Sequence, residues 1–568
     1  MAYSAPSKKF RSKGCSLLTA VLVVAPFLVL LLCCVSYSFV AQVGIDVPTA
    51  NEVVQQAAGT LKIAYSPEKA RLFNTLTAGF NAEHFETASG EVMQIEASEM
   101  DPETMIAAAV SGEVQAVNPD SSIWLEQIDR AWRSHTHTDA SLIGDTVRYA
   151  VSPVVIAMWD HVADSMGYPQ KRLGWDDIIA KATADPNFKW SHPATSSASG
   201  LLTTLAMFYA GAGKTRGLTV EDATSQSTLD YVSAVQKTVR QYGEGEWAVI
   251  QQVIEQGPQY LDAFVVAEQL VIYYNTGNHA GNLVAVYPNE GTLWEDHPLA
   301  LLELPDLSIE QRAVFQKFSE YLESDATQRE VLAQGFRPTD LSISLTAAAS
   351  PVSMANGVDP TEPQTALQIP SAPIVEIVRD VWWYTKRKTN VFLIADTSGS
   401  MMGEKLEAAR EAMNTFIDQV KGEQENIGLV TFSSQVNNII PLGPLSKNRV
   451  AVLNEIQRMG AAGDTALLDA VWAAYARLQD AGERERINAI VVMTDGRENN
   501  SRIWLSDLVT AIEKGNRSGV PVVIFSVAYG DDADYDVLQA LAKASDGQVR
   551  QGDPATIRDL YKILSTYF

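Results

Sequence analysis

Residues 391–400 read Val-Phe-Leu-Ile-Ala-Asp-Thr-Ser-Gly-Ser, an apolar run that stops at three hard-oxygen side chains at alternate positions, Asp396, Ser398 and Ser400. A second apolar run, Ile490-Val-Val-Met-Thr, ends in Asp495-Gly496, and between the two Gly463-Asp-Thr465 leads into a helical run from Ala466 to Leu478. Each places an oxygen where a parallel strand would finish. Ligands of open α/β sheets bind beyond the carboxyl ends of such strands, so these ends can share one crevice. A carboxylate and hydroxyls gathered there suit a small, hard divalent cation such as Mg²⁺, which prefers oxygen ligands and keeps some waters.

The ordered set Asp396, Ser398, Ser400, Thr465 and Asp495 resembles the metal-ion-dependent adhesion site of von Willebrand factor type A domains. The resemblance covers residues 389–568, and all five positions match. It implies a doubly wound, Rossmann-like fold in which the serines and the threonine bind Mg²⁺, or Ca²⁺ or Mn²⁺, while the aspartates help directly or through water. It further implies an open coordination position for an acidic group on a protein partner. Asp464 adds a negative charge beside Thr465.

A chain of 568 residues is too long for one ordinary core. Its net charge of −25 argues against nucleic acid, whose phosphates need Lys and Arg. The N-terminus departs from this acidity. Lys8, Lys9, Arg11 and Lys13 form a basic tail (1–13) before an uncharged stretch whose centre, Leu17 to Val35, is mostly Leu, Val and Ala. A bilayer-spanning helix needs about 20 such residues. We therefore expect an uncleaved transmembrane anchor at 14–40, a linker at 41–59, and everything beyond outside the cytoplasm, because basic residues stay on the cytoplasmic side. Cys15, Cys33 and Cys34 are the only cysteines, so the exported part has no disulfides.

From Thr60 onward strand and helix patterns alternate, which predicts α/β layers with largely parallel sheets. Thr60–Ser66 reads as a strand followed by an amphipathic helix, Val114–Ser122 as a strand with a polar end, and Pro153–Met158 as a buried strand. His192–Gly200 is a small-residue loop entering the helical run Leu201–Ala210, an arrangement that favours anions or polar ligand groups. With Val265–Asn275, Leu283–Trp294 and Gly335-Phe-Arg-Pro338, these segments look like bacterial extracellular solute-binding proteins over 60–345. That resemblance implies a two-lobed, periplasmic-binding-protein-like domain closing on a small-molecule solute. Ser66, Ser121, Ser122, Ser199 and Tyr287 stand at strand ends or helix entries and are the expected lining.

Residues 346–372 are rich in Ala, Pro and Thr without periodicity, which is linker chemistry; a short helix at 373–384 carrying Trp382 and Trp383 completes the connection through 388. Gly213-Lys-Thr215 lacks the preceding glycine and strand of a phosphate-binding loop, and His135 and His137 lack partners at zinc spacing. No catalytic constellation stands out, so a non-enzymatic, membrane-anchored binding protein is expected. Two alternatives are a transporter's substrate-binding component and, by family precedent, a chelatase-like or hydrolytic subunit.

Overall fold

The computed structural model describes residues 59–422 and 424–568. The first lobe is built on a five-stranded sheet ordered β2-β1-β3-β10-β4, with β1 Thr60–Tyr65, β2 Gln94–Glu99, β3 Ala116–Asn118, β4 Ile143–Arg148 and β10 Pro298–Leu302. The helix Ala70–Ala82 buries Leu72, Phe73, Leu76 and Phe80, a helical spacing that makes one apolar face. Phe80 meets Phe318 edge to face, with ring centroids 5.1 Å apart, which ties that helix to Ile309–Glu323.

The second lobe centres on β5, Ala150–Trp159, in a sheet ordered β11-β5-β7-β6 that also pairs with β8 and β9 (β6 Trp190–Ser191, β7 Ala263–Ala267, β8 Leu283–Val286, β9 Trp294–Glu295, β11 Arg337–Pro338). Here the expectation of largely parallel strands fails. β5 runs antiparallel to β7, β8, β9 and β11. For β9 the cause is connectivity: β5 carries the chain out of the first lobe, and β9, leading into β10, carries it back. A strand leaving and a strand returning run in opposite directions.

The third sheet, ordered β14-β13-β12-β15-β16-β17, is the doubly wound architecture expected (β12 Thr389–Asp396, β13 Asn426–Phe432, β14 Val436–Pro444, β15 Ile487–Thr494, β16 Val522–Tyr529, β17 Gln548–Gly552). Only the edge pair β13/β14 is antiparallel. Every residue of β12 is buried. Val391, Leu393 and Ala395 enter one core with Met413 and Phe416, whereas Phe392 and Ile394 enter the other with Val471 and Ile512. Each large side chain so buried contributes about 1.5–3 kcal/mol. This two-faced anchoring fixes β12 in register and so fixes where Asp396 emerges.

Residues 346–372 are not a free tether. Val352, Val358 and Leu367 are buried, and Leu367 N–H donates to the Thr292 carbonyl at 2.8 Å, so this aperiodic stretch straps the second lobe. Its apolar residues come singly, which is why no period shows. The helix Ala372–Thr385 then packs on the second lobe through Val375, Val378 and Trp382, with the Trp382 and Tyr242 rings 5.3 Å apart. Residues 60–568 thus form one compact unit. Among the described residues no helix is long and apolar enough to cross a membrane. The anchor expected at 14–40 lies outside the described residues.

Candidate functional sites

Asp396 ends β12, and its carboxylate is held from two sides: Oδ1 accepts from the Ser398 backbone N–H at 2.7 Å, and Oδ2 accepts from the Thr494 hydroxyl at the end of β15. Ser398 Oγ and Ser400 Oγ are 3.0 Å apart, and Ser400 Oγ donates to Asp495 Oδ1 at 2.7 Å. The 460–465 loop is clamped to this turn by Gly399 N–H on the Gly463 carbonyl at 2.9 Å and Ala462 N–H on the Thr397 carbonyl at 2.9 Å. Gly463 has φ +87° there, a conformation that favours glycine. A Cβ on Gly496 would lie 2.8 Å from Thr465 Oγ1 and 3.5 Å from Ser400 Oγ, so a side chain at 496 would crowd both hydroxyls.

The five expected residues therefore meet at one rim. Asp396, Ser398, Thr465 and Asp495 are buried and Ser400 is exposed, which leaves the cluster open on one side. Burial raises the Asp396 carboxyl above its ordinary range, opposed by the Thr494 and Ser398 hydrogen bonds. Two carboxylates and three hydroxyls form an all-oxygen donor set that fits a hard divalent cation. Among the described residues no cluster of three or more His, Cys, Asp or Glu is placed to hold a metal, so a cation at this rim would also need the hydroxyls.

Three participants were missed by spacing arguments. Thr494 sits directly before Asp495 and is signalled only by that adjacency. Asn499 Oδ1 accepts from the Thr465 N–H at 3.0 Å, and Lys405 Nζ lies 2.5 Å from Asp495 Oδ2. Lys405 comes from the first turn of the helix Glu404–Gln419, where no motif position announces it. Asp464, by contrast, is exposed, and its charge is screened by solvent.

In the solute-binding half, Ser66, Ser121 and Ser199 are buried. Ser66 Oγ donates to Glu68 Oε1 at 2.6 Å, Ser121 Oγ accepts from the Ile123 N–H at 3.4 Å, and the Ser199 hydroxyl has no protein partner. The Ser122 N–H donates to Asp296 Oδ1 at 2.7 Å. Tyr287 is committed elsewhere: its hydroxyl donates to Glu268, which also accepts from Arg337 Nε at 2.8 Å. The helix entry at 198 is capped by Ser197, whose Oγ accepts from the Gly200 N–H at 3.2 Å. The two rejected motifs are occupied or exposed, with Lys214 paired to Asp222 at 2.5 Å and His135 and His137 on the surface.

Comparison with known proteins agrees with both halves. Residues 53–337 match the family model of bacterial extracellular solute-binding proteins, and residues 390–562 match that of the von Willebrand factor type A domain. The pig inter-alpha-trypsin inhibitor heavy chain H2 is 25% identical over 192 residues, which cover 31% of this chain and 20% of that protein. A von Willebrand factor type A protein of known structure from Catenulispora acidiphila is 24% identical, with a TM-score of 0.28 over 32% of this chain and 43% of that one. An ABC transporter solute-binding protein from Thermotoga lettingae, solved with α-D-tagatose, is 12% identical, with a TM-score of 0.42 over 58% of this chain and 93% of that one. With half of its length matched by the first of these family models, the chain belongs to the bacterial extracellular solute-binding proteins and carries a von Willebrand factor type A domain after the solute-binding domain.

Proposed function

We propose that this protein is a membrane-anchored, extracytoplasmic binding protein, in which the middle domain takes a small solute and the C-terminal domain engages a protein partner through a divalent cation. The observation that carries the reading is the convergence of Asp396, Ser398, Ser400, Thr465 and Asp495 on one open rim. These five residues would hold Mg²⁺ or a related cation, which supplies a positive centre able to accept a partner's carboxylate. The chain's own contribution is orientation. Thr494 and the Ser398 N–H keep Asp396 turned toward the rim, and the two loop hydrogen bonds keep the hydroxyls facing each other. A charge-assisted contact of that kind gains strength where water is excluded, as the buried floor of this cluster favours.

Placement outside the cytoplasm rests on Lys8–Lys13 preceding the apolar 14–40 segment. A tag on the C-terminus tests it. Added protease should remove the tag from intact cells, and a protected tag contradicts the topology. For partner binding, retention of an interacting protein should be lost in EDTA and in Ser400→Ala, and retention that survives both contradicts the cation's role.

A further inference from the structure

The contact between the two lobes holds a set of charged side chains that the fold alone does not explain. From the first lobe come Glu68, Lys69 and Asp120; from the second comes Glu246, at the start of the helix Glu246–Gln256; and the strand segment joining the lobes gives Glu295 and His297. All are buried, with Glu295 and His297 at 0% exposure. Asp120 Oδ1, Glu246 Oε1, both Glu295 carboxylate oxygens and both His297 ring nitrogens have no hydrogen-bond partner in the protein, although His297 Nε2 lies 3.9 Å from Glu295 Oε2. Buried polar groups are almost always paired, and a buried unpaired charge costs several kcal/mol.

The only ammonium in the cluster does not resolve this. Lys69 Nζ donates to the carbonyls of Asn118 at 3.1 Å and Pro119 at 2.5 Å. Asp296 is already served by Arg148 at 2.6 Å and by the Ser122 N–H, and Glu68 accepts from Ser66. The cleft is therefore acidic, and its free groups are chiefly acceptors. They come from three separate elements, and no three acids or histidines among the described residues converge closely enough to share one metal ion. Spread acceptors around a negative cleft suit a ligand with several N–H donors and a positive charge.

We propose that the interlobe cleft binds a small organic cation, an ammonium or guanidinium compound, whose N–H groups are received by Glu295, Glu246 and Asp120. This rests on the reading of the middle domain as a solute receptor. It also explains closure: closing the empty cleft forces these carboxyls to take up protons, whereas a cation lets them close in their charged form and draws the lobes shut.

The test uses the full chain. Thermal melting and calorimetric titration are run with putrescine, agmatine and L-arginine as cations, with sulfate and glucose as anionic and neutral probes, and with MgCl₂ and ZnCl₂. The expected result is saturable binding of at least one amine or guanidinium probe, weakened at least tenfold in both Glu295→Gln and Glu246→Gln. Burial pushes the Glu295 and Glu246 carboxyls well above their ordinary range, so closing the empty cleft costs proton uptake; each variant removes that cost and should raise the melting temperature of the ligand-free protein and shrink its radius of gyration in solution scattering. A neutral or anionic probe binding in place of the cations overturns the ligand class and leaves the receptor reading standing. So does metal binding that persists in Asp396→Ala and is weakened by Glu295→Gln or Glu246→Gln. Cation binding untouched by both variants overturns the site. If none of the amine or guanidinium probes binds, the proposal fails, and if sulfate and glucose also fail to bind, the receptor reading fails with it.

Discussion

Lys405 Nζ stands 2.5 Å from Asp495 Oδ2, while the opposite oxygen of the same carboxylate receives the Ser400 hydroxyl at 2.7 Å. One aspartate of the proposed cation site is thus bridged to an ammonium on one side and to a ligand hydroxyl on the other. The lysine partly neutralises the buried Asp495 carboxylate and competes with a second cation for it.

Removing that competitor should tighten cation binding. For Lys405→Met we expect Mg²⁺ affinity to rise roughly three- to tenfold, in keeping with a half-exposed charge pair of modest strength. The ligand-free protein should melt lower, because Asp495 loses its counter-charge. Isothermal titration calorimetry reads the first effect and a thermal melt the second. Weaker Mg²⁺ binding in the variant would make Lys405 a supporting residue.

A fully buried ion pair ties the connecting helix to the C-terminal domain. Lys386 Nζ lies 3.0 Å from Glu425 Oε1, with both side chains at 0% exposure, and it also donates to the Phe568 carbonyl. Its ammonium stands over Tyr242 of the second lobe at 5.8 Å and over Trp383 at 5.4 Å. Lys386→Met would leave Glu425 buried and uncompensated, so we expect a loss of about 3–5 kcal/mol in urea denaturation of the C-terminal transition. Glu425→Gln together with Lys386→Met should recover part of it.

Acid should weaken the second lobe through His192. Burial between Trp190 and Tyr242 pushes its pKa down from 6.5 to about 4. The folded state therefore binds fewer protons than the unfolded state, and the stability held above pH 6.5 is lost as the pH falls toward 4. The full effect is about 3 kcal/mol. Denaturant titrations at pH 7.5 and 4.5 should show a smaller acid loss in His192→Gln than in the natural protein.

The helix Ala372–Thr385 packs its apolar face on the second lobe but sends Glu376 to the first, where it meets Arg130 at 2.6 Å and Gln127 at 2.8 Å. Lys562 reaches Glu103 of the first lobe at 2.8 Å. These contacts can persist only while the lobes are closed. Glu376→Ala with Lys562→Ala should enlarge the radius of gyration in solution scattering without lowering the melting temperature by more than a few degrees, since exposed pairs contribute at most about 1 kcal/mol each.

The meeting of Asp396, Ser398, Ser400, Thr465 and Asp495 is legible from residue types because they follow apolar runs that are unmistakable as strands, and loop hydrogen bonds bring those strand ends together. Lys405 was not readable, since its arrival depends on how the helix Glu404–Gln419 lies across the sheet. The solute half divides the same way. The strands β1, β3 and β5 announce themselves, but a lining does not, because serines at strand ends serve equally as caps and Tyr287 also bonds to Glu268 of the Glu268–Arg337 pair. Glu246, Glu295 and His297 carry no local pattern and meet only when the lobes close. Strand direction in the second lobe and the packed strap at 346–372 likewise follow from long-range connectivity, which periodicity does not encode.

Whether Asp396, Ser398, Ser400, Thr465 and Asp495 bind a divalent cation is read by calorimetric titration of the full chain with Mg²⁺. We predict saturable 1:1 binding, accompanied by a rise in melting temperature, that is abolished in Asp396→Ala and weakened at least tenfold in Ser400→Ala. Ser400 lies at the exposed rim, so its loss should leave the fold intact. Equal Mg²⁺ binding by the natural protein and both variants would contradict the account.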